Sequence, residues 1–249
     1  MTYREFKPGS QITARQIAKM IDHSLLKPDI TIQDIIEGCN IAMKCDCATI
    51  STNSSVIPVV REALKGSDVR YGTVISFPHG YESTEIKKFA TERAIEDGCT
   101  ELDMIMNVQR LKSKEYDYVK RDVEAVVNIT KPAKVLLKVL LETNFLTEDE
   151  IITASKLVSD AGADFIKCNS GFPGGAKIRH LKLMRESAPP HVMIKVAGGV
   201  RTLDNLLAAI SVGAAKLGAT ATETIVSEAI EREKQGPILI PETVPEDLY

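Results

Sequence analysis

The stretch Gly162-Ala163-Asp164-Phe165-Ile166-Lys167-Cys168-Asn169-Ser170-Gly171-Phe172-Pro173-Gly174-Gly175 decides how the chain folds. Asp164 to Ile166 read as a short buried strand with Lys167 as its last residue. The small residues from Asn169 to Gly175 then lead into a helix that starts near Ala176. A lysine therefore sits where strand gives way to loop, and in parallel α/β proteins that is the end at which sites are built. An isolated lysine is ordinarily a surface residue. Here the β-prone apolar residues before it and the glycines after it point to a buried stem and a backbone that approaches something closely.

The same order of apolar run, loop and helix recurs on both sides of this stretch. A short amphipathic helix over Gln11 to Met20 precedes a first strand, Ile21 to Leu26, in which Asp22 is out of place. Thr31 caps the next helix, with Asp34 as its capping-box acid. Cys47 to Ser51, Arg70 to Phe77, Thr100 to Asn107 and Lys134 to Leu141 read as strands two to five. The helices between them run over Ser55 to Leu64, Ser83 to Asp97 (capped by Ser83 and closed by Gly98) and Lys114 to Ile129. Thr147 opens a further helix with Glu150 completing its cap, and Gly162 ends it. Beyond Lys167, a helix over Ala176 to Glu186 leads to a strand from His191 to Val196. A helix over Leu203 to Ser211, a strand from Ala214 to Leu217 and a helix over Thr222 to Lys234 complete the series.

Eight strand-like runs, each followed by a helix at spacings of about 25 to 35 residues, are the pattern of a single (β/α)₈ TIM barrel with a short N-terminal helix. No linker divides the 249 residues, so one domain over 1–249 is expected, with 236–249 as an extended or mobile tail bearing Pro237, Pro241 and Pro245. Neither G-x-G-x-x-G nor G-x-x-x-x-G-K-[ST] occurs, which removes the usual dinucleotide and P-loop fingerprints.

Composition narrows the function. A net charge of −3, no tryptophan and no basic cluster argue against a nucleic-acid partner. No apolar run approaches a membrane span, and the polar stretch Met1 to Ser10 has no signal-peptide core, so a cytoplasmic protein without a membrane partner is expected. The five cysteines, 39, 45, 47, 99 and 168, show no paired CxxC spacing, and the four histidines are scattered. No metal site and no disulfide framework are expected.

In a barrel, residues at strand ends become neighbours. Asp22, Asp103, Lys167 and Lys195 all interrupt apolar strands, so these four ionisable groups are expected to converge. Isolated buried charges are costly, and a set of structural salt bridges is one account of them. The chemical account is that a lysine amine attacks a carbonyl only when neutral, and that a second cation and a dry pocket both favour the neutral form. Lys195 supplies that cation to Lys167, and Asp103 can shuttle protons with Asp22 as a relay. Gly171, Gly198, Gly199 and Gly218, with Asn169, Ser170 and Thr220, lie on the last three strand-to-helix loops. Barrel enzymes often hold phosphate there on backbone N–H groups. A small phosphorylated aldehyde or sugar is the expected partner.

Several segments, taken in order, resemble the deoxyribose-phosphate aldolase family: Ile21-Asp22-His23-Ser24-Leu25-Leu26-Lys27-Pro28, Phe77-Pro78-His79-Gly80, Glu101-Leu102-Asp103-Met104, Leu137-Lys138-Val139-Leu140-Leu141-Glu142-Thr143, Ala161-Gly162-Ala163-Asp164-Phe165-Ile166-Lys167 and Ile194-Lys195-Val196-Ala197-Gly198-Gly199-Val200-Arg201-Thr202. The resemblance implies a class I aldolase on a (β/α)₈ barrel that needs no metal or other cofactor. It would reversibly cleave 2-deoxy-D-ribose 5-phosphate to acetaldehyde and D-glyceraldehyde 3-phosphate. The resemblance puts the Schiff base on Lys167, the second lysine at Lys195 and the proton-shuttling acid at Asp103. Self-association as a dimer or tetramer is also expected. The loops depart from the family pattern at Cys168-Asn169-Ser170-Gly171 and Gly218-Ala219-Thr220-Ala221, and Ser51 stands where a cysteine is common. Two alternatives remain at this stage: a Schiff-base aldolase acting on a different sugar, and a catalytically silent barrel that binds a phosphometabolite.

Overall fold

The structure, a computed structural model, describes residues 5–244. A two-residue strand, β1 (Gln11–Ile12), is the first element and pairs antiparallel with the last, β10 (Ile238–Leu239). Between them lie β2 (Ile21–Leu25), β3 (Thr49–Thr52), β4 (Arg70–Ile75) and β5 (Glu101–Ile105), followed by β6 (Leu136–Leu140), β7 (Phe165–Lys167), β8 (Met193–Ala197) and β9 (Ala214–Ala219). These eight strands pair in parallel and in chain order, and β9 returns to pair with β2, which closes the barrel. Helices follow the strands on the outside, so the fold is the expected (β/α)₈ barrel.

Strand alternation sorts the side chains. Leu102, Met104, Leu137, Val139, Ile166 and Ile194 are fully buried in the shell between strands and helices. Each such side chain withdrawn from water contributes roughly 1.5–3 kcal/mol. Residues of the other parity, Glu101, Asp103, Lys138 and Lys195 among them, are also buried, but they belong to the barrel interior. A barrel interior is usually filled by branched apolar residues. This one is filled by charge.

The local signals behave as their chemistry requires. Thr31 accepts the Asp34 N–H and Thr147 accepts the Glu150 N–H, each in a complete capping box. Both Gly98 and Gly162 end their helices at positive φ. Three differences from expectation are seen, the first two with visible causes. Gln11 and Ile12 are strand rather than helix, because Thr13 caps a shorter helix, Ala14–Ala18, through the Gln16 N–H. A helix not expected from the sequence, Val108–Lys112, capped by Asn107, precedes the one expected from Lys114, and the latter runs over Tyr116–Thr130 because Lys114 lies in the left-handed region at φ 59° between the two. Ser83 sits at its N-cap position without a side-chain bond.

Ile238 and Ile240 are buried, and the Gly9 N–H donates to the Ile240 carbonyl, so this part of the tail is tied to the N-terminal segment ahead of the barrel. Pro245 to Tyr249 and Met1 to Arg4 lie outside the described residues. Among the described residues no helix is long and apolar enough to cross a membrane.

Candidate active site

Register assembles the site. In parallel neighbours, paired residues point to the same face. Lys167 pairs with Lys195, Lys195 with Lys216, and Asp103 with Lys138, so lysines from four consecutive strands turn inward toward the acids of β2 and β5. Asp103 is the hub. Its Oδ2 accepts from Lys167 Nζ at 2.6 Å and from Lys195 Nζ at 2.7 Å, and its Oδ1 accepts from Lys138 Nζ at 3.0 Å. Lys195 also donates to Asp22 Oδ2 at 2.6 Å. Lower in the barrel, Lys216 donates to Asp22 Oδ1 and to Glu101 Oε2, and Lys138 reaches the same Glu101 oxygen at 2.6 Å.

The four residues expected to converge therefore do so, as part of a larger set. Lys138, Lys216 and Glu101 belong to it and were not singled out from the sequence. Their signal was present: each is a charged residue inside an apolar strand, at the parity that faces inward.

Four lysines meet three carboxylates. If all seven were ionised the dry interior would hold one excess positive charge. Arg70 reaches Glu101 at 2.7 Å from the partly exposed base of β4, where solvent shares its charge, so it stands outside this count. One neutral lysine relieves the excess, and the environment selects which. Burial pushes the Lys167 amine down from the usual lysine range. Asp103 pulls it back up, but Asp103 is shared, and Lys195 and Lys138 push it down again. Lys138 is the opposite case. Burial would lower it too, but Asp103, Asp22 and Glu101 outweigh that and hold it well above the usual range. Burial would raise Asp103, yet Lys138, Lys167 and Lys195 hold its carboxyl well below the ordinary value. Lys167 is thus the lysine poised to be an amine beside a firmly ionised acid.

Lys167 is also the member of the network that lines a cavity. That cavity, of about 480 Å³, opens at the C-terminal ends of β2, β7, β8 and β9. Its walls include Ser170, Gly171, Gly198, Gly199, Gly218 and Thr220, so six of the seven residues expected at a phosphate site face one space. Two of these glycines have steric reasons. A Cβ on Gly198, at φ 97°, would stand 3.1 Å from the Gly174 carbonyl oxygen, and one on Gly218 would press on Ala197 and approach Lys195.

The seventh, Asn169, lies elsewhere. It is fully buried beneath the loop, where its Oδ1 accepts from Thr143 and its Nδ2 donates to the Gly175 carbonyl. Asp22, Asp103 and Lys195 sit below the cavity floor. Lys27 and Arg201 supply cationic side chains to the wall, and Ser24 a hydroxyl. The sequence reading quoted all three within motifs without giving them a role. Among the described residues no group of three or more His, Cys, Asp or Glu side chains is placed to hold a metal ion.

Residues 16–233 match the family model described as DeoC/LacD family aldolase. The chain belongs to that family. Among its relatives is the deoxyribose-phosphate aldolase of Clostridium novyi, 44% identical over 219 residues that span 88% of this chain and 98% of the relative. The deoxyribose-phosphate aldolase of Thermococcus gammatolerans is 42% identical, covering 87% and 98%. A solved structure from Coccidioides immitis superposes with a TM-score of 0.84 at 35% identity over 92% of both chains. In this DeoC/LacD aldolase, as the geometry shows, the ionisable interior and the cavity meet at one residue, Lys167.

Proposed function

We propose that this chain is a class I aldolase that reversibly cleaves 2-deoxy-D-ribose 5-phosphate to acetaldehyde and D-glyceraldehyde 3-phosphate through a Schiff base on Lys167. The observation that carries the reading is the position of the Lys167 amine: at the cavity surface, lowered toward neutrality by burial and by Lys195, and 2.6 Å from Asp103.

In the cleavage direction the neutral amine attacks the C1 aldehyde, and the carbinolamine takes up a proton and loses water to give the protonated imine. Loss of the proton from the C3 hydroxyl breaks the C2–C3 bond. Its electrons pass to the imine nitrogen as an enamine, and glyceraldehyde 3-phosphate departs. Protonation at C2 and hydrolysis release acetaldehyde and restore the amine. Asp103, bonded to both Lys167 and Lys195, is the group that takes and returns these protons, with Asp22 and Lys195 as the reservoir behind it. The phosphate would lie toward the backbone N–H groups of Gly171, Gly198 and Gly199 and the Thr220 hydroxyl, with Lys27 and Arg201 as counter-charges. Relatives named deoxyribose-phosphate aldolase at more than two-fifths identity support this choice of substrate.

Aldehyde release from 2-deoxyribose 5-phosphate, plain 2-deoxyribose and other phosphorylated sugars, each with and without chelator, tests the proposal. Preferred turnover of the first, indifferent to chelator, is expected. Preferred turnover of another sugar would keep the chemistry and overturn the substrate, and turnover of none would overturn both.

A further inference from the structure

The turn that follows β6 holds a residue that the mechanism above does not use. Glu142 is 1% exposed, and its backbone lies in the left-handed region at φ 56°, a conformation uncommon for a non-glycine residue and one that persists only where its surroundings enforce it. Its Oε1 accepts the Ser170 N–H at 2.8 Å, while its Oε2 is buried without a hydrogen-bond partner among the described residues. The rest of the turn grips the same loop. The Thr143 N–H donates to the Cys168 carbonyl and the Thr143 hydroxyl to Asn169 Oδ1, and Asn144 Nδ2 donates to the Gly175 carbonyl at 2.9 Å. The turn thus clamps residues 168–175, which follow directly on Lys167 and supply Ser170, Gly171 and Phe172 to the cavity wall. Glu142 is the ionisable part of this clamp.

We propose that Glu142 is a positioning residue whose carboxylate, through the Ser170 amide, holds the anion-facing loop 168–175 in its binding conformation, so that affinity for a phosphorylated substrate depends on Glu142 being ionised. A carboxylate binds an N–H more strongly than a neutral acid does. The titratable groups facing Glu142 are Lys167 and Cys168 from β7 and the residue after it, and His180 from the helix Ile178–Ser187, which meets the turn through Thr143 at 3.0 Å. Burial pushes the Glu142 carboxyl up to about 7, against the hydrogen bonds from Ser170 and the Lys167 charge, which pull it down. The clamp therefore loosens as pH falls through neutrality. The inference rests on the aldolase reading of the cavity.

The test is the pH course of KM for 2-deoxyribose 5-phosphate, from about pH 8 to about pH 6, in the wild type and in Glu142→Gln. Glutamine keeps an oxygen for the Ser170 N–H and cannot titrate. Substrate-phosphate ionisation is common to both proteins and cancels in their ratio. A binding-competent fraction that falls with protonation raises the apparent KM in proportion, so the wild-type KM should rise by up to about tenfold more than that of E142Q. Glu142→Asn is the second variant: asparagine tolerates positive φ but is too short to reach Ser170, and its KM should be raised across the whole range with the fold intact by circular dichroism. Parallel KM courses in the wild type and E142Q, or an unchanged KM in E142N, would overturn the inference. Borohydride trapping of acetaldehyde, which carries no phosphate, is run alongside on all three proteins. Failure to label the wild type would instead overturn the Schiff-base reading.

Discussion

Replacing Lys195 with methionine removes a cation while nearly keeping the volume of its buried stem. The ammonium nitrogens of Lys167 and Lys195 both lie within 2.7 Å of Asp103 Oδ2, so they are no more than about twice that distance apart. Two unit charges roughly 5 Å apart repel by about 3 kcal/mol at an effective dielectric constant near 20. That repulsion favours the neutral amine on Lys167, and at about 1.4 kcal/mol per tenfold its loss should cut the neutral fraction near pH 7 by up to about a hundredfold. Charge balance points the same way. With Lys195 gone, three lysines face three carboxylates, and a protonated Lys167 completes the set. Lys195→Met is therefore expected to lower kcat/KM by up to about two orders of magnitude near neutrality and to recover much of it as pH rises. Initial cleavage rates across the pH range in wild type and variant measure this. A uniform loss with an unchanged pH profile would refute the electrostatic account and leave Lys195 a role in proton transfer alone.

Asp103→Asn should lower kcat by at least about a hundredfold and stop exchange of the acetaldehyde methyl protons with deuterated solvent, followed by NMR; undiminished exchange would remove Asp103 from the proton path. Lys216→Met leaves Asp22 and Glu101 short of a buried partner, and should cost about 3–5 kcal/mol of stability in urea unfolding while Lys167 still forms an imine. A variant as stable as the wild type would mean that the lower half of the network is not held by charge.

The barrel was legible because its signals are local. Caps at Thr31 and Thr147, stops at Gly98 and Gly162, and apolar runs of strand length each act within a few residues. Lys114 was not legible as a break, since nothing in its side chain announces a positive φ. At the site, Asp103 and Lys167 stood out because a charge in an apolar strand is costly without a partner. By the same reasoning Lys138 and Lys216 were legible too, but who pairs with whom depends on register across non-adjacent strands, which no local pattern states. Asn169 shows the converse. Its place in a glycine-rich loop suggested the cavity, whereas its amide spans the gap between two loops from beneath. Glu142 stood in a quoted segment without a role, because its significance lies in a backbone angle and in one hydrogen bond to a residue 28 positions away.

Treatment with acetaldehyde and borohydride, followed by peptide mass mapping, asks most directly whether Lys167 is the nucleophile. Reduction of the imine converts it to a stable N-ethyl group on the attacking lysine. The account predicts that this group appears on the peptide carrying Lys167, only when acetaldehyde and borohydride are both present, and that 2-deoxyribose 5-phosphate cleavage is lost in step with labelling. Labelling of Lys195 in its place, or full inactivation with Lys167 unmodified, would contradict it.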